Sequence, residues 1–185
     1  PDYAPGKVIA IKVNFNNCTS CTEADQQIDA LIQPVNAIIR GLKAMGVVEN
    51  DIWVFDASRH IPDRFFDGCA YTGVQFFDKG CRNVRGFGHD ITFYPPPGQS
   101  MPAIKLSDVL VDATYLINLP ILKAHGITGV TLGFKHHFGS IDIPFRLHNY
   151  VGGEWQYYRS DYNPLVDIYL DENVGAKTVL TIGDG

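Results

Sequence analysis

The sequence predicts an α/β fold with a mostly parallel open sheet, and three observations carry that prediction. Lys7 to Val13 (KVIAIKV) is a nearly unbroken apolar, β-branched run, as expected of a strand covered on both faces. A long stretch with apolar residues at helical spacing follows, and then a second short apolar run, Ile52 to Phe55. Strand, long helix, strand gives a right-handed βαβ unit by default.

Each element has its own signal. Asn14 to Ser20 is a polar loop, and Thr22-Glu23-Ala24-Asp25 fits a capping box that opens a helix. Ile28, Leu31, Ile32, Val35, Ile38, Ile39, Leu42 and Met45 then recur at helical spacing, so one face is expected to be buried. Pro34 interrupts the pattern and predicts a kink or two helices, and Gly46 is a natural stop. Pro62 to Cys69 is read as weakly helical. Ile91 to Tyr94 is read as a third strand, and Pro95-Pro96-Pro97-Gly98 as an extended segment that then turns. Leu106 to Leu110 predicts a helical turn, Thr114 to Leu119 a fourth strand ended by Pro120, and Gly129 to Phe138 a helix. Asn163-Pro164 supplies an N-cap and an N1 proline for a last helix with Leu165, Ile168 and Tyr169 on its apolar face. Thr178 to Ile182 reads as a core strand, so residues 1–185 are expected to form a single α/β domain and a fragment of a longer chain. The whole is a loop-rich, Rossmann-like three-layer arrangement, with helices flanking the sheet.

Composition narrows the function. The chain has 15 basic and 20 acidic residues, a formal net charge of -5, and no run of basic residues, which argues against a nucleic-acid groove. No stretch of 18 apolar residues exists to span a membrane. Four cysteines are too few for a disulfide scaffold of this length. Cys18 and Cys21 form a C-x-x-C pair and Cys69 and Cys81 lie twelve apart. The pairing Cys18–Cys21 with Cys69–Cys81 is one expectation for an oxidising compartment, and buried thiols at Cys69 and Cys81 are the other. A four-cysteine zinc site would need a second close pair. There is no G-x-S-x-G elbow, Walker loop or H-E-x-x-H; Gly86-Phe87-Gly88 lacks a third glycine and a helix, and reads as a turn.

In open α/β sheets ligands bind beyond the carboxyl ends of the strands. Three strands run into chemically capable segments there: Asn14 to Cys18, Asp56 to His60, and Asn118 to His125. The richest segment is Lys123 to Asn149, which holds four of the six histidines with Lys123, Lys135, Asp142 and Arg146. Its glycines permit close backbone approach, and a helix opening near Gly129 would offer N–H groups to an anion. Lys135 would then lie one turn after Thr131, on the same helix face. Taken singly, His136 and His137 read as a partly buried ring and a surface residue; taken as a cluster, the segment reads as functional.

The run from Ile117 to Ile141 closely resembles the domain of unknown function 362 (DUF362) family, whose pattern is N-x-P-x-x-K-x-H-x-x-x-G-x-T-x-x-x-K-N-x-x-G. Every anchor is present except that His136 stands where asparagine is usual. Val8 to Asn16 and the strand ending Asp56-Ala57 look like the family too. The resemblance implies that relatives are often longer, that some carry twin-arginine export signals, and that some carry ferredoxin clusters. An extracytoplasmic or periplasmic site is therefore one expectation and a cytoplasmic one the alternative. A more distant similarity is to nickel-pincer lactate racemases. His125 and Lys135 reproduce that family's spacing, Ser58-Arg59-His60-Ile61-Pro62 stands where it has G-x-H-R-P, and His148-Asn149 is the downstream histidine. That similarity implies a covalent pincer on Lys135, nickel on His148, and proton exchange by His60 and His125. Gly133-Phe134 in place of Gly-Gly, and Asn14, Asn16 and Asn17 in place of acidic and arginine residues, depart from it.

The candidate catalytic residues are thus His60, His125 and Lys135. Lys135, Thr131 and Gly129 are the candidate cofactor-binding residues, and His148 and His137 the candidate metal ligands. Two classes of function compete: metal-dependent or acid–base chemistry on a small anionic substrate, with a transition metal as the cofactor considered, or a non-catalytic ligand-binding, redox-partner or structural module. Either allows a small-molecule ligand, and a protein partner or oligomer, without nucleic acid or a membrane span.

Overall fold

The computed structural model describes residues 2–16, 18–24 and 28–183. Asn17 and Asp25, which figure in the sequence reading, lie outside them. In chain order the elements are β1 (Ile9–Lys12), α1 (Ile32–Ala44), β2 (Ile52–Phe55), α2 (Asp63–Phe66), β3 (Gln75–Phe77), β4 (His89–Asp90), β5 (Lys105–Leu106), α3 (Asp108–Asp112), β6 (Tyr115–Asn118), β7 (Lys123–His125), β8 (Gly129–Thr131), α4 (Gly133–His136), α5 (Pro144–Leu147), α6 (Pro164–Leu170) and β9 (Thr178–Thr181).

Five strands form one all-parallel sheet in the order β3-β2-β1-β6-β9. The predicted three-layer α/β architecture is therefore the observed one. Alternation along β1 sorts its side chains to the two faces. Ile9 and Ile11 belong to one buried cluster with Val35 and Ile39 of α1 and Phe65 of α2, whereas Ala10 belongs to a second with Val109 and Leu110 of α3 and Leu165 and Ile168 of α6. Short antiparallel pairs, β4 with β5 and β7 with β8, sit outside this sheet. Among the described residues no helix is long and apolar enough to cross a membrane.

Several elements differ from the sequence reading. The helix after β1 starts at Ile32, with Leu31 as its N-cap. Pro34 thus sits in the first turn, where its missing N–H costs nothing, and it does not divide the helix. Ile28, Leu31 and Met45 are exposed, so the buried stripe is narrower than the periodicity suggests. Gly46 does end the helix, at φ +89°. The third strand of the sheet is Gln75–Phe77, not Ile91 to Tyr94; Ile91 merely donates its N–H to Ile104 beside the β4–β5 pair. A three-residue strand is too short to show periodicity. Gly129 to Phe138 is not one helix: its first three residues pair with β7, and α4 begins only at Gly133. Asn163 caps α6 as expected, accepting from the Leu165 N–H at 3.0 Å. The expected core strand near the end is β9, an edge strand on which Val179 and Leu180 are exposed.

The cysteines also pair differently. Cys21 is bridged to Cys81, with Cα atoms 5.3 Å apart. Cys18 is turned into the interior, where its thiol donates to Asp29 Oδ2 at 3.2 Å, and Cys69 is a half-buried thiol. Neither local pairing forms, because the loop after β1 crosses to the loop after β3, two strands away in the sheet.

Candidate functional site

The order β3-β2-β1-β6-β9 reverses direction between β1 and β6, and that is where loops part to leave a crevice. A cavity of about 450 Å³ opens there, at the carboxyl ends of the strands. Asn14 to Asn16 reach it from β1, Asp56 to Arg59 from β2, and Lys79 from β3. His125, Thr131, Lys135 and His136 come from the β7–β8 hairpin and α4, and His148 from the turn after α5.

Its floor is a buried polar network that starts from a lysine inside a strand. Lys12 is fully buried, with Nζ 3.3 Å from Asp56 Oδ2, 2.5 Å from the Val13 carbonyl and 3.5 Å from His136 Nε2. Burial lowers the Lys12 pKa, and Asp56 opposes that shift. Asp56 also accepts from the Phe15 N–H at 3.1 Å and the Ser58 N–H at 3.2 Å, tying the two loops together. Asn118 Nδ2 donates to the Gly133 carbonyl, so its Oδ1 faces His136 Nδ1 at 2.6 Å as an acceptor. His136 therefore carries its proton on Nδ1 and offers the Nε2 lone pair to Lys12. Burial first, and then Lys12, hold its pKa well below the usual value.

Above this floor stand His125, Lys135 and His148. The β7–β8 hairpin closes at Gly129, whose φ of +75° only glycine adopts readily. In the turn, His125 Nδ1 accepts from the Ile127 N–H at 3.1 Å and the Thr128 N–H at 3.2 Å. With Nδ1 so occupied, Nε2 keeps the hydrogen and is a donor, and the ring resists a second proton. Burial, and then Lys135 and Lys123, lower its pKa. The His125 ring lies parallel to His148, centroids 5.8 Å apart and planes within 3°. Lys135 Nζ is 3.2 Å from His148 Nε2 and 3.4 Å from the centre of the Phe138 ring. Burial, with the nearby Lys123 and Arg59 charges, brings the Lys135 pKa down to about 7. Burial, with Lys135 and then His125, brings His148 to about 4. At neutral pH the lysine is thus near half protonation and both histidines are neutral.

Thr131 and Lys135 reach the cavity together, Thr131 from a strand and not from a shared helix face. The buried Thr131 Oγ1 has no hydrogen-bond partner among the described residues. Arg59, Lys79 and Lys135 line the cavity against Asp56 and Asp142. Asp56 is paired with Lys12, and Asp142 accepts from the Lys105 N–H at 3.0 Å. A chain of net charge -5 therefore presents a basic cavity.

The structure does not bring three of the sequence candidates here. His60, His137 and Gly129 are outside the described lining. His60 faces Cys81 Sγ at 3.2 Å. His137 is fully buried, with Nδ1 3.3 Å from Ser140 Oγ and burial, then Lys12, lowering its pKa to about 3. Gly129 serves the hairpin turn. The sequence placed Asp56, Arg59 and Asn118 in chemically capable loop segments without giving them a role, and passed over Lys12 and Lys79. A lysine in an otherwise apolar strand was a readable signal for Lys12; Lys79 follows a strand that could not be read.

A family model described as "Domain of unknown function (DUF362)" matches residues 9–185. The chain belongs to the DUF362 family. The match takes in every strand of the parallel sheet and every cavity residue named above, so the site lies wholly inside the DUF362 domain. No curated protein matches the chain.

Proposed function

We propose that this DUF362 domain binds a small anionic substrate in the cavity and moves a proton on it, with Lys135 as the acid–base group. The observation that carries the reading is the Lys135 amine, poised at about 7 and 3.2 Å from a neutral imidazole inside a basic cavity. A group with a pKa near the working pH both takes and returns a proton efficiently. In this reading Arg59 and Lys79 hold the anion, and His125 Nε2–H and Thr131 Oγ1 hydrogen-bond the oxygen on which charge develops. His148 orients the lysine.

The resemblance to nickel-pincer racemases would assign Lys135 a covalent cofactor. The residues do not fit that group as a set: His60, one of its two proton-exchanging bases, faces a disulfide, and Asn14 and Asn16 line the cavity where that family has charged groups.

The test is hydrogen exchange in deuterated water against a panel of small hydroxy-, oxo- and amino-carboxylates and phosphate esters, followed by proton NMR. Loss of a substrate C–H signal, abolished by Lys135→Met, is the expected result. Saturable binding with no exchange would favour the non-catalytic module. An intact-mass adduct on Lys135 would overturn the free-amine role.

A further inference from the structure

A second cluster of chemically capable groups lies outside the cavity, where three loops meet. Cys21 comes from the loop after β1, His60 from the loop after β2, and Asp78 and Cys81 from the loop after β3. His60, Asp78 and Cys81 place a ring nitrogen, a carboxylate oxygen and a sulfur all within 4.8 Å of one another. Among the described residues this is the one group of three or more such ligands. Cys21 adds a second sulfur, since it is bonded to Cys81.

The frame around the cluster does not depend on the S–S bond. Asp78 Oδ1 accepts from the N–H groups of Gly80, Cys81 and Arg82, each at 2.8 Å, and Oδ2 accepts from the Ile61 N–H at 2.6 Å. Backbone bonds from His60 to Cys18, Asp63 to Cys21 and Lys79 to Arg59 join the three loops. Gly80 lets the His60 ring approach: a Cβ there would come within 3.2 Å of Cε1. Oδ2 retains one lone pair, and both cysteines are half-buried and within reach of a small thiol.

We propose that reduction of Cys21–Cys81 converts this corner into a site for a thiophilic divalent cation, zinc above all, held by both sulfurs, His60 Nδ1 and Asp78 Oδ2. Two equivalents of a small thiol deliver two electrons and two protons to the S–S bond, leaving two cysteine thiols and one external disulfide. The cation then displaces both thiol protons and binds the thiolates. Tetrahedral zinc, with bonds of about 2.3 Å to sulfur and about 2.0 Å to nitrogen, needs the two ligand atoms roughly 3.5 Å apart. His60 Nδ1 and Cys81 Sγ stand at 3.2 Å, so that pair is already close to ligand spacing. The two sulfurs must part to about 3.8 Å. Rotation at two half-buried side chains on a fixed frame accomplishes that.

The proposal is independent of the cavity chemistry, and its test has no need of substrate. The chain is prepared oxidised, and separately reduced with a phosphine and desalted without air. Each form is titrated with zinc chloride by calorimetry and with cobalt chloride by absorption. The reduced chain is expected to take up one ion per chain, with a thiolate-to-cobalt charge-transfer band, and the oxidised chain none. His60→Ala, Cys21→Ser and Cys81→Ser are each expected to lose that stoichiometry. His60→Ala keeps the disulfide, and circular dichroism of its oxidised form separates ligand loss from misfolding. Equal uptake by both forms, no uptake by the reduced chain, or unchanged affinity in a folded His60→Ala would each overturn the proposal.

Discussion

Lys135 Nζ lies 3.2 Å from His148 Nε2, and a proton on this pair belongs to the lysine, because burial and neighbouring charge leave Lys135 at about 7 and His148 at about 4. The imidazole is thus a fixed acceptor that aims the amine without competing for its proton.

Lys135 should therefore be the most reactive lysine of the chain near neutral pH. Limited acylation across pH 5 to 10, read by peptide mass spectrometry, is expected to label Lys135 with a midpoint near 7. Labelling that rises only with the surface lysines would show that the amine is not depressed.

Stability should respond to the same group. Lys135 binds a proton less readily folded than unfolded, so between about 7 and its ordinary value of 10.5 the unfolded chain holds more protons. Stability contributed through this group rises with pH across that window, and the penalty is full below it. Lys135→Met removes the penalty. Its gain over the parent, on the order of a few kcal/mol, is expected below pH 7 and should close toward pH 10.5. Urea melts at pH 6 and pH 10 check the sign.

The floor of the cavity should be intolerant of change. Lys12→Met leaves Asp56 buried without its cation, at an expected cost of about 3–5 kcal/mol. Gly139→Ala should also destabilise, by roughly 1–3 kcal/mol as an overpacked site, since its Cβ would come within 2.6 Å of Lys12 Nζ and 2.9 Å of Asp56 Oδ1. Thermal melts of both variants suffice. A Gly139→Ala midpoint equal to the parent's would mean that the pair yields freely.

The Cys21–Cys81 bridge closes a long loop, its ends 60 positions apart in the chain. Cys21→Ser should lower the stability of the oxidised chain by about 2–4 kcal/mol. Cys18→Ser, which leaves the bridge intact, should cost less. Equal losses from both would point to a different pairing, and non-reducing peptide maps would reveal it.

By itself the sequence determined the layers. The apolar run at Lys7 to Val13, the spacing through Ile39 and Leu42, and the Asn163-Pro164 cap each act over a few residues, and each is legible because local periodicity reports which face is buried. It also marked His125 and Lys135 as belonging together, through the run from Ile117 to Ile141 that resembles DUF362, whereas His148 lies beyond that run. Only the tertiary structure decided the rest. Strand order placed the loops after β1, β2 and β3 side by side, and so joined Lys12 to Asp56, bridged Cys21 to Cys81 instead of Cys18, and took His60 away from the cavity. These pairings span 44 to 60 positions, and the protonation of Lys135 depends on how deeply the packed domain buries it. Contacts between distant segments leave no period in the chain that makes them.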